Sequence, residues 1–296
     1  MTMRHGWLAG GVFSLALMVA GAALATPAIW RIHGAHRADI TLFGSSPNAP
    51  LAGPWRTPAF DAALAQADEV WFESPDKPGP LTTLRLFGII SMQGSLPRGE
   101  TLSPLLSPEG QARIKRLAVK LGVPPAKLEP MQPWWADLTL TFAFGDKTRD
   151  RDRNGVERWV KAHAARGVRI RAFDTVVHDL EALAASPRDE QIADLEFAMA
   201  RREQGIDTLE PDYADWLAGD LGRIEREVVD PFRARAPKSY GPFVVERHRL
   251  WAEEVERLTG GDRKVLVVVG VSNLVGPDSL PAMLRRRGVA VEGPRG

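Results

Sequence analysis

Two short stretches of the sequence end an apolar run with a glycine, which is followed by a segment that contains polar side chains: Phe43-Gly44-Ser45-Ser46-Pro47 and Val269-Gly270-Val271-Ser272-Asn273. Such apolar runs are typical of buried strands, and glycine lets the chain turn sharply out of a sheet. Glu73 ends a third apolar run. Because open α/β sheets bind ligands at the carboxyl ends of their strands, we predict a functional cluster at that edge. The alternative is a pair of tight turns beside a solvated Glu73.

A carboxylate and an amide would carry the chemistry of this cluster. Glu73 and Asn273 are the candidate catalytic residues, since a carboxylate in a cleft can act as a general base. A second set of residues at the same edge is predicted to bind a ligand: Gly44, Ser45, Ser46, Arg247, Gly270 and Ser272.

The sequence gives little support for a metal or a cofactor. It has no cysteine, which excludes thiolate sites, disulfides and a cysteine nucleophile. It also has no phosphate-binding loop and no His-Glu-x-x-His motif. His248 is predicted on a helix near the carboxyl edge, but Arg247 and Arg249 flank it, and adjacent positive charge disfavours a metal ion. We therefore predict neither a metal nor a cofactor.

The first 25 residues form a separate segment. Arg4 precedes an apolar run from Trp7 to Leu24, which ends in the small-x-small sequence Ala23-Leu24-Ala25. This order is typical of a secretory signal peptide, so we predict cleavage after residue 25 and a periplasmic or secreted protein. A retained membrane anchor is the alternative, because the run is just long enough to span a bilayer.

The charge of the chain argues against two classes of partner. The full sequence has 38 Lys and Arg residues against 37 Asp and Glu residues. Loss of residues 1–25 removes one cation, Arg4, and leaves a formal charge of zero. A neutral protein has no general electrostatic attraction to nucleic acid or to anionic lipid. We therefore expect no nucleic-acid partner, and no membrane partner once the signal is removed.

The remaining pattern predicts an α/β fold for residues 26–296. Two strands joined by a tight turn are expected near residues 28–43, and a helix that begins at Thr57-Pro58 leads to a strand at residues 69–73. Residues 74–100 are rich in proline and glycine, which indicates an irregular connection. A large helical insertion is predicted at about residues 101–230, with one short strand inside it at 168–172.

The end of the chain returns to alternating strands and helices. Lys264–Val269 is apolar after its first residue and largely β-branched, as a central parallel strand should be. A helix precedes it, and a helix and a short strand at 289–292 follow it. The prediction is therefore a mostly parallel central sheet built from both ends of the chain.

Several landmarks, in this order along the chain, resemble the TraB/GumN family. They are Pro27-Ala28-Ile29-Trp30, Leu42-Phe43-Gly44, Glu73, Pro133-Trp134-Trp135, Gly155-Val156-Glu157-Arg158, Glu246-Arg247-His248-Arg249-Leu250-Trp251 and Leu274-Val275-Gly276-Pro277-Asp278. The resemblance covers nearly the whole mature chain. It implies an α/β fold with a helical insertion, similar to the Tiki metalloproteases and more distantly to the erythromycin esterases.

The same resemblance implies a divalent metal for hydrolysis, held by two Gly-x-x-His motifs and a glutamate. This sequence departs from that pattern at both histidines. The first motif is Gly44-Ser45-Ser46-Pro47 and the second is Gly270-Val271-Ser272-Asn273, while Glu73 matches the glutamate. Proline has no side-chain donor atom, and an amide oxygen suits hard cations better than zinc.

Two hypotheses for function follow. In the first, the chain is a non-catalytic descendant of the family that binds a peptide, a glycan or a protein partner in the cleft at the sheet edge. In the second, it is a hydrolase of peptidase or esterase type with altered chemistry. Glu73 would then act as general base, with Ser45, Ser46, Ser272 or Asn273 as polar partners.

Overall fold

The computed structural model describes residues 26–47, 49–75, 77–148, 155–173, 175–206 and 211–294. The predicted signal peptide lies outside these residues. Helices and strands alternate at both ends of the chain, so the α/β class is confirmed. None of the helices in the described part of the chain is long and apolar enough to cross a membrane.

The strands form one six-stranded sheet in the order β4-β3-β5-β2-β1-β6. Their bounds are β1 (Ile29–His33), β2 (Asp39–Ser45), β3 (Glu69–Phe72), β4 (Arg169–Ala172), β5 (Lys264–Gly270) and β6 (Val291–Glu292). The neighbours from β4 to β2 are parallel, whereas β1 is antiparallel to both β2 and β6.

The prediction of a mostly parallel sheet is therefore wrong, because the sheet is mixed. A tight turn reverses the chain between β1 and β2, and its residues His36 and Arg37 adopt the left-handed conformation with φ of 53° and 78°. Such a turn can join only antiparallel neighbours. The last strand, β6, then pairs with β1 at the edge of the sheet.

The strand β5 occupies the centre of the sheet, as its apolar sequence predicts. Residues Val265–Val269 are all buried. β2 and β3 run parallel to each other, but they are not neighbours, because β5 lies between them. The two ends of the chain thus interleave in one sheet.

The helices of the described residues cover both faces of the sheet and build a separate helical region. They are α1 (Pro58–Gln66), α2 (Pro80–Gln93), α3 (Pro108–Leu121), α4 (Pro125–Leu128), α5 (Pro133–Thr148), α6 (Gly155–His163), α7 (Val176–Ala185), α8 (Arg188–Glu203), α9 (Tyr213–Ala218), α10 (Leu221–Ile224), α11 (Asp230–Arg235), α12 (Pro237–Tyr240), α13 (Glu246–Thr259) and α14 (Leu280–Arg286).

The helix α2 corrects a second expectation, since residues 74–100 were expected to be irregular. Pro80 occupies the first turn of α2, where its missing N–H costs nothing, and Gly94 follows its last residue. Except for Gly88, the proline and glycine residues therefore lie at or beyond the ends of the helix, and the largely apolar residues between them form it.

Three hydrophobic clusters in the described residues support this arrangement, the smallest of them around Ile89, Trp134 and Leu180. The largest one lies at the sheet and contains the fully buried Trp30, Trp55 and Trp251. A second core joins α3, α5 and α8 within the helical region, with Leu140 and Met199 at its centre. Met199 is thus a core residue of the helical region.

Candidate functional site

The carboxyl ends of β2, β3 and β5 meet at one edge of the sheet. Ser45 at the end of β2 lies opposite Gly270 at the end of β5, and Glu73 directly follows β3 on the other side of β5. The structure therefore places the two glycine-containing strand ends and the glutamate side by side, which is the geometry that the sequence predicts.

The backbone at this edge is closely packed around Gly44. The indole Nε1 of Trp216 donates a hydrogen bond of 2.7 Å to the carbonyl oxygen of Gly44. A Cβ atom at this position would lie 2.9 Å from Cγ2 of Val271. The absence of a side chain at Gly44 thus allows the close approach of the two strand ends. Gly44 itself does not line the cavity at this edge.

The carboxylate of Glu73 is held by the end of β5. Its Oε1 accepts a hydrogen bond of 2.5 Å from the backbone N–H of Gly270 and one of 2.9 Å from Nδ2 of Asn273. Burial raises the pKa of Glu73, and this effect outweighs the nearby Arg247 and the Gly270 N–H, which lower it. Glu73 therefore protonates more readily than an exposed glutamate does.

The other end of the Asn273 amide contacts two side chains of α13. Its Oδ1 lies 2.8 Å from Nη2 of Arg247 and 3.0 Å from Nε2 of His248. Asn273 and His248 are both buried. The Asn273 amide thus connects Glu73, which follows β3, to Arg247 and His248 of α13.

His248 faces an oxygen atom at each ring nitrogen, because Nδ1 lies 2.8 Å from the carbonyl oxygen of Asp278. Burial, together with Arg247, lowers the pKa of His248 to about 4. The imidazole is therefore neutral at pH 7, and a neutral ring carries one N–H for two oxygen neighbours. Protonation would satisfy both contacts, but burial opposes the charge.

Sequence reasoning gave His248 little weight, although a signal was present. His248, Trp251, Ala252 and Val255 recur at helical spacing, and all four are buried on one face of α13. That apolar stripe directs His248 inward, towards the sheet edge.

The guanidinium of Arg247 is packed rather than solvated. Its side chain is only 14% exposed, and its Cζ lies 4.8 Å from the ring centre of Phe243 and 5.4 Å from that of Trp251. Oδ2 of Asp179 lies 3.7 Å from Nη1 of Arg247. Burial raises the pKa of the Asp179 carboxyl group despite this nearby cation. A fixed cation thus lies beside the cleft.

These side chains do not fit a divalent metal. Pro47 lines the cleft but offers no donor atom. Oε1 of Glu73 accepts two hydrogen bonds, and Oδ1 of Asn273 accepts one from Arg247 and lies 3.0 Å from Nε2 of His248. The nearest charge to that amide is the guanidinium of Arg247. In the described part of the chain, no three His, Cys, Asp or Glu side chains group closely enough to hold a metal ion.

A cavity of about 300 Å³ opens above this network. Two helical segments form its apolar wall, and each contains one π-helical turn, Glu225–Val229 and Gly241–Val245. Turns of this kind are frequent at functional sites. The wall residues are Val228, Val229, Phe232, Tyr240, Phe243 and Val244.

Most of the predicted site residues meet at this cavity. Those that line it are Ser45, Glu73, Arg247, Gly270, Ser272 and Asn273. Ser46 lines an adjoining space of about 380 Å³, together with Ser74 and Glu157. The two spaces share Ser45, Pro47, Glu73 and Gly270. Together they form one cleft at the carboxyl edge of the sheet.

Comparison with known proteins gives one match. No curated protein and no solved structure matches the chain significantly. The model of the TraB/PrgY/gumN family matches residues 28–293, which include every strand and helix of the described fold. The chain therefore belongs to the TraB/PrgY/gumN family.

Proposed function

We propose that this protein binds a ligand in the cleft at the sheet edge and does not use the metal-dependent hydrolysis that the family resemblance implies. One observation carries the proposal: the polar groups at the floor of the cleft bond to one another, beneath an apolar wall. The predicted signal peptide supports export, so the proposed place of action is the periplasm or the medium.

The character of the wall favours a peptide or a protein segment over a glycan. A glycan needs hydrogen-bonding groups for its many hydroxyls, whereas Val228, Phe232, Phe243 and Val244 offer apolar surface. An apolar side chain would fill the cavity, and the polar edge residues would contact the backbone of the peptide. Apolar pockets with few polar groups are the usual form of ligand sites.

A display library of random peptides tests this proposal. We expect the wild-type protein to select peptides that share an apolar residue. Val244→Trp should weaken their binding at least about tenfold, because the larger side chain fills the cavity. The control is Val119→Trp, at an exposed position of α3 far along the chain from the cleft residues. If Val244→Trp bound the same peptides with unchanged affinity, the cleft would not be the binding site.

The second candidate is hydrolysis with Glu73 as general base. The raised pKa of Glu73 favours it, since a carboxyl group that titrates nearer neutrality exchanges protons more effectively at pH 7. Ser45, Ser46, Ser272 and Asn273 are the polar partners available at the same edge. This candidate is ruled out if Glu73→Gln leaves every peptidase or esterase activity of the protein unchanged.

A further inference from the structure

A second cavity, of about 120 Å³, adjoins the first cavity, the space of about 300 Å³ that Glu73 lines. Thr141, Phe232 and Phe243 line both cavities. The rings of Phe232 and Phe243 meet edge to face with their centres 5.9 Å apart, and they form the boundary between the two spaces. Four further apolar side chains, from α5, α7 and α8, line the second cavity and not the first: Trp134, Leu138, Leu183 and Ala198. The cleft at the sheet edge therefore continues into the helical region.

The charged side chains that line the second cavity neutralise one another. Arg202 of α8 is buried and forms an ion pair with Asp137 of α5. Arg235 of α11 forms another with Asp194 of α8. The lining thus holds two cations and two anions, all of them paired. A charged group of a ligand would lose its hydration there and meet no net opposite charge, so the cavity favours an uncharged occupant.

Hydrogen bonds between the helices hold the second cavity open. Nη2 of Arg202 donates a hydrogen bond of 2.6 Å to Oγ1 of Thr141, which joins α8 to α5. Nε2 of Gln191 donates one of 2.7 Å to the carbonyl oxygen of Ser186, which joins α8 to the end of α7. Together with the two ion pairs, these bonds fix four helices around the space. The helices cannot close the cavity without breaking these buried polar contacts, and such a loss is costly.

The size of the second cavity suits one aliphatic side chain. A cavity of about 150 Å³ in a protein core can hold a benzene molecule. A space of about 120 Å³ therefore admits a side chain of about the size of leucine. The first cavity, at about 300 Å³, has room for an aromatic side chain. The two spaces thus differ in the residues that they can accept.

We propose that the ligand of the cleft is a peptide with two apolar anchor residues, a large one in the first cavity and one of about leucine size in the second. This inference rests on the proposed function, which assigns a peptide to the cleft. The rings of Phe232 and Phe243 would lie between the two anchors and contact both of them. The neutral lining and the small volume of the second cavity disfavour a lysine or an arginine as the second anchor.

Peptides selected from a display library on the wild-type protein test the inference. They should share two apolar residues at a constant spacing, and alanine in place of the smaller one should lower their affinity at least about tenfold, because its burial is lost. Leu138→Trp reduces the second cavity alone. This variant should bind the selected peptide at least about tenfold more weakly and bind the alanine-substituted peptide as the wild type does. Leu183→Trp makes the same change from α7, and the exposed Val119→Trp is the control.

Two results would overturn this inference and leave the proposed function intact. In one, the selected peptides share a single apolar residue, and Val244→Trp still weakens their binding. In the other, Leu138→Trp and Leu183→Trp are folded by circular dichroism and bind the selected peptide as the wild type does, whereas Val244→Trp does not. Unchanged binding by Val244→Trp would instead contradict the proposed function itself. The alanine substitution is made in the peptide, so it tests the second anchor even if a cavity variant fails to fold.

Discussion

Replacement of Asn273 by leucine should lower the free energy of unfolding by about 3–5 kcal/mol. The Asn273 amide contacts Glu73, Arg247 and His248, and leucine of similar size can make none of these hydrogen bonds. Each buried polar partner left unsatisfied costs about 1–3 kcal/mol. The three losses do not add fully, because the remaining groups can rearrange.

Urea unfolding of the wild type and of Asn273→Leu measures this loss. Ser272→Ala is the matched control, since Ser272 also lines the cleft but is more exposed than its neighbour, and its stability should stay within about 0.5 kcal/mol of the wild type. A loss below about 1 kcal/mol in Asn273→Leu would show that the network at the cleft floor contributes little.

The stability of the protein should also contain a pH-dependent contribution from His248. Its pKa falls from 6.5 to about 4 on folding, so the unfolded chain binds the proton more readily than the native state does. The contribution is complete above about pH 6.5 and is lost as the pH falls towards 4. Its full size is about 3 kcal/mol.

A comparison with His248→Gln isolates this contribution. Glu73 acts in the opposite direction, because its raised pKa lets the native state bind a proton more readily and favours folding as the pH falls through its own range. Both proteins share that effect. We expect the change in the free energy of unfolding between about pH 7 and about pH 4 to be smaller in His248→Gln than in the wild type by about 3 kcal/mol. Equal pH dependence in the two proteins would contradict a buried neutral His248.

The sequence predicts the position of the site better than its internal bonds. The apolar run of β5 and the glycines that end β2 and β5 identify the sheet edge, because burial and a sharp exit from a strand each require particular residue types. The contact of Asn273 with His248 depends on how α13 packs against β2 and α14. No local pattern of residues specifies that distance.

The two wrong predictions about the fold, a mostly parallel sheet and an irregular segment at residues 74–100, each have a physical cause. The tight turn that the sequence indicates between β1 and β2 already makes these two strands antiparallel. The short β6 then pairs antiparallel with β1, and no local pattern in its sequence specifies that pairing. The helix α2 was missed because proline and glycine weaken a helical interpretation, although Pro80 and Gly94 lie at its two ends.

Family membership therefore describes the shape of this protein more closely than its chemistry. The scaffold is retained over residues 28–293, and Glu73 remains at the sheet edge. Pro47 and Asn273 stand where the family resemblance implies histidines, and Arg247 and His248 bond to that asparagine. The expected result is a cleft that binds an organic ligand.

Metal analysis of the purified protein after incubation with Zn²⁺, Mn²⁺ or Co²⁺ tests this account most directly. Plasma mass spectrometry of the desalted wild type should find far less than one metal ion per chain, and Glu73→Gln should give the same value, because the carboxylate already bonds to Gly270 and Asn273. Stoichiometric metal in the wild type that disappears in Glu73→Gln would contradict the account and restore a metal centre at the sheet edge.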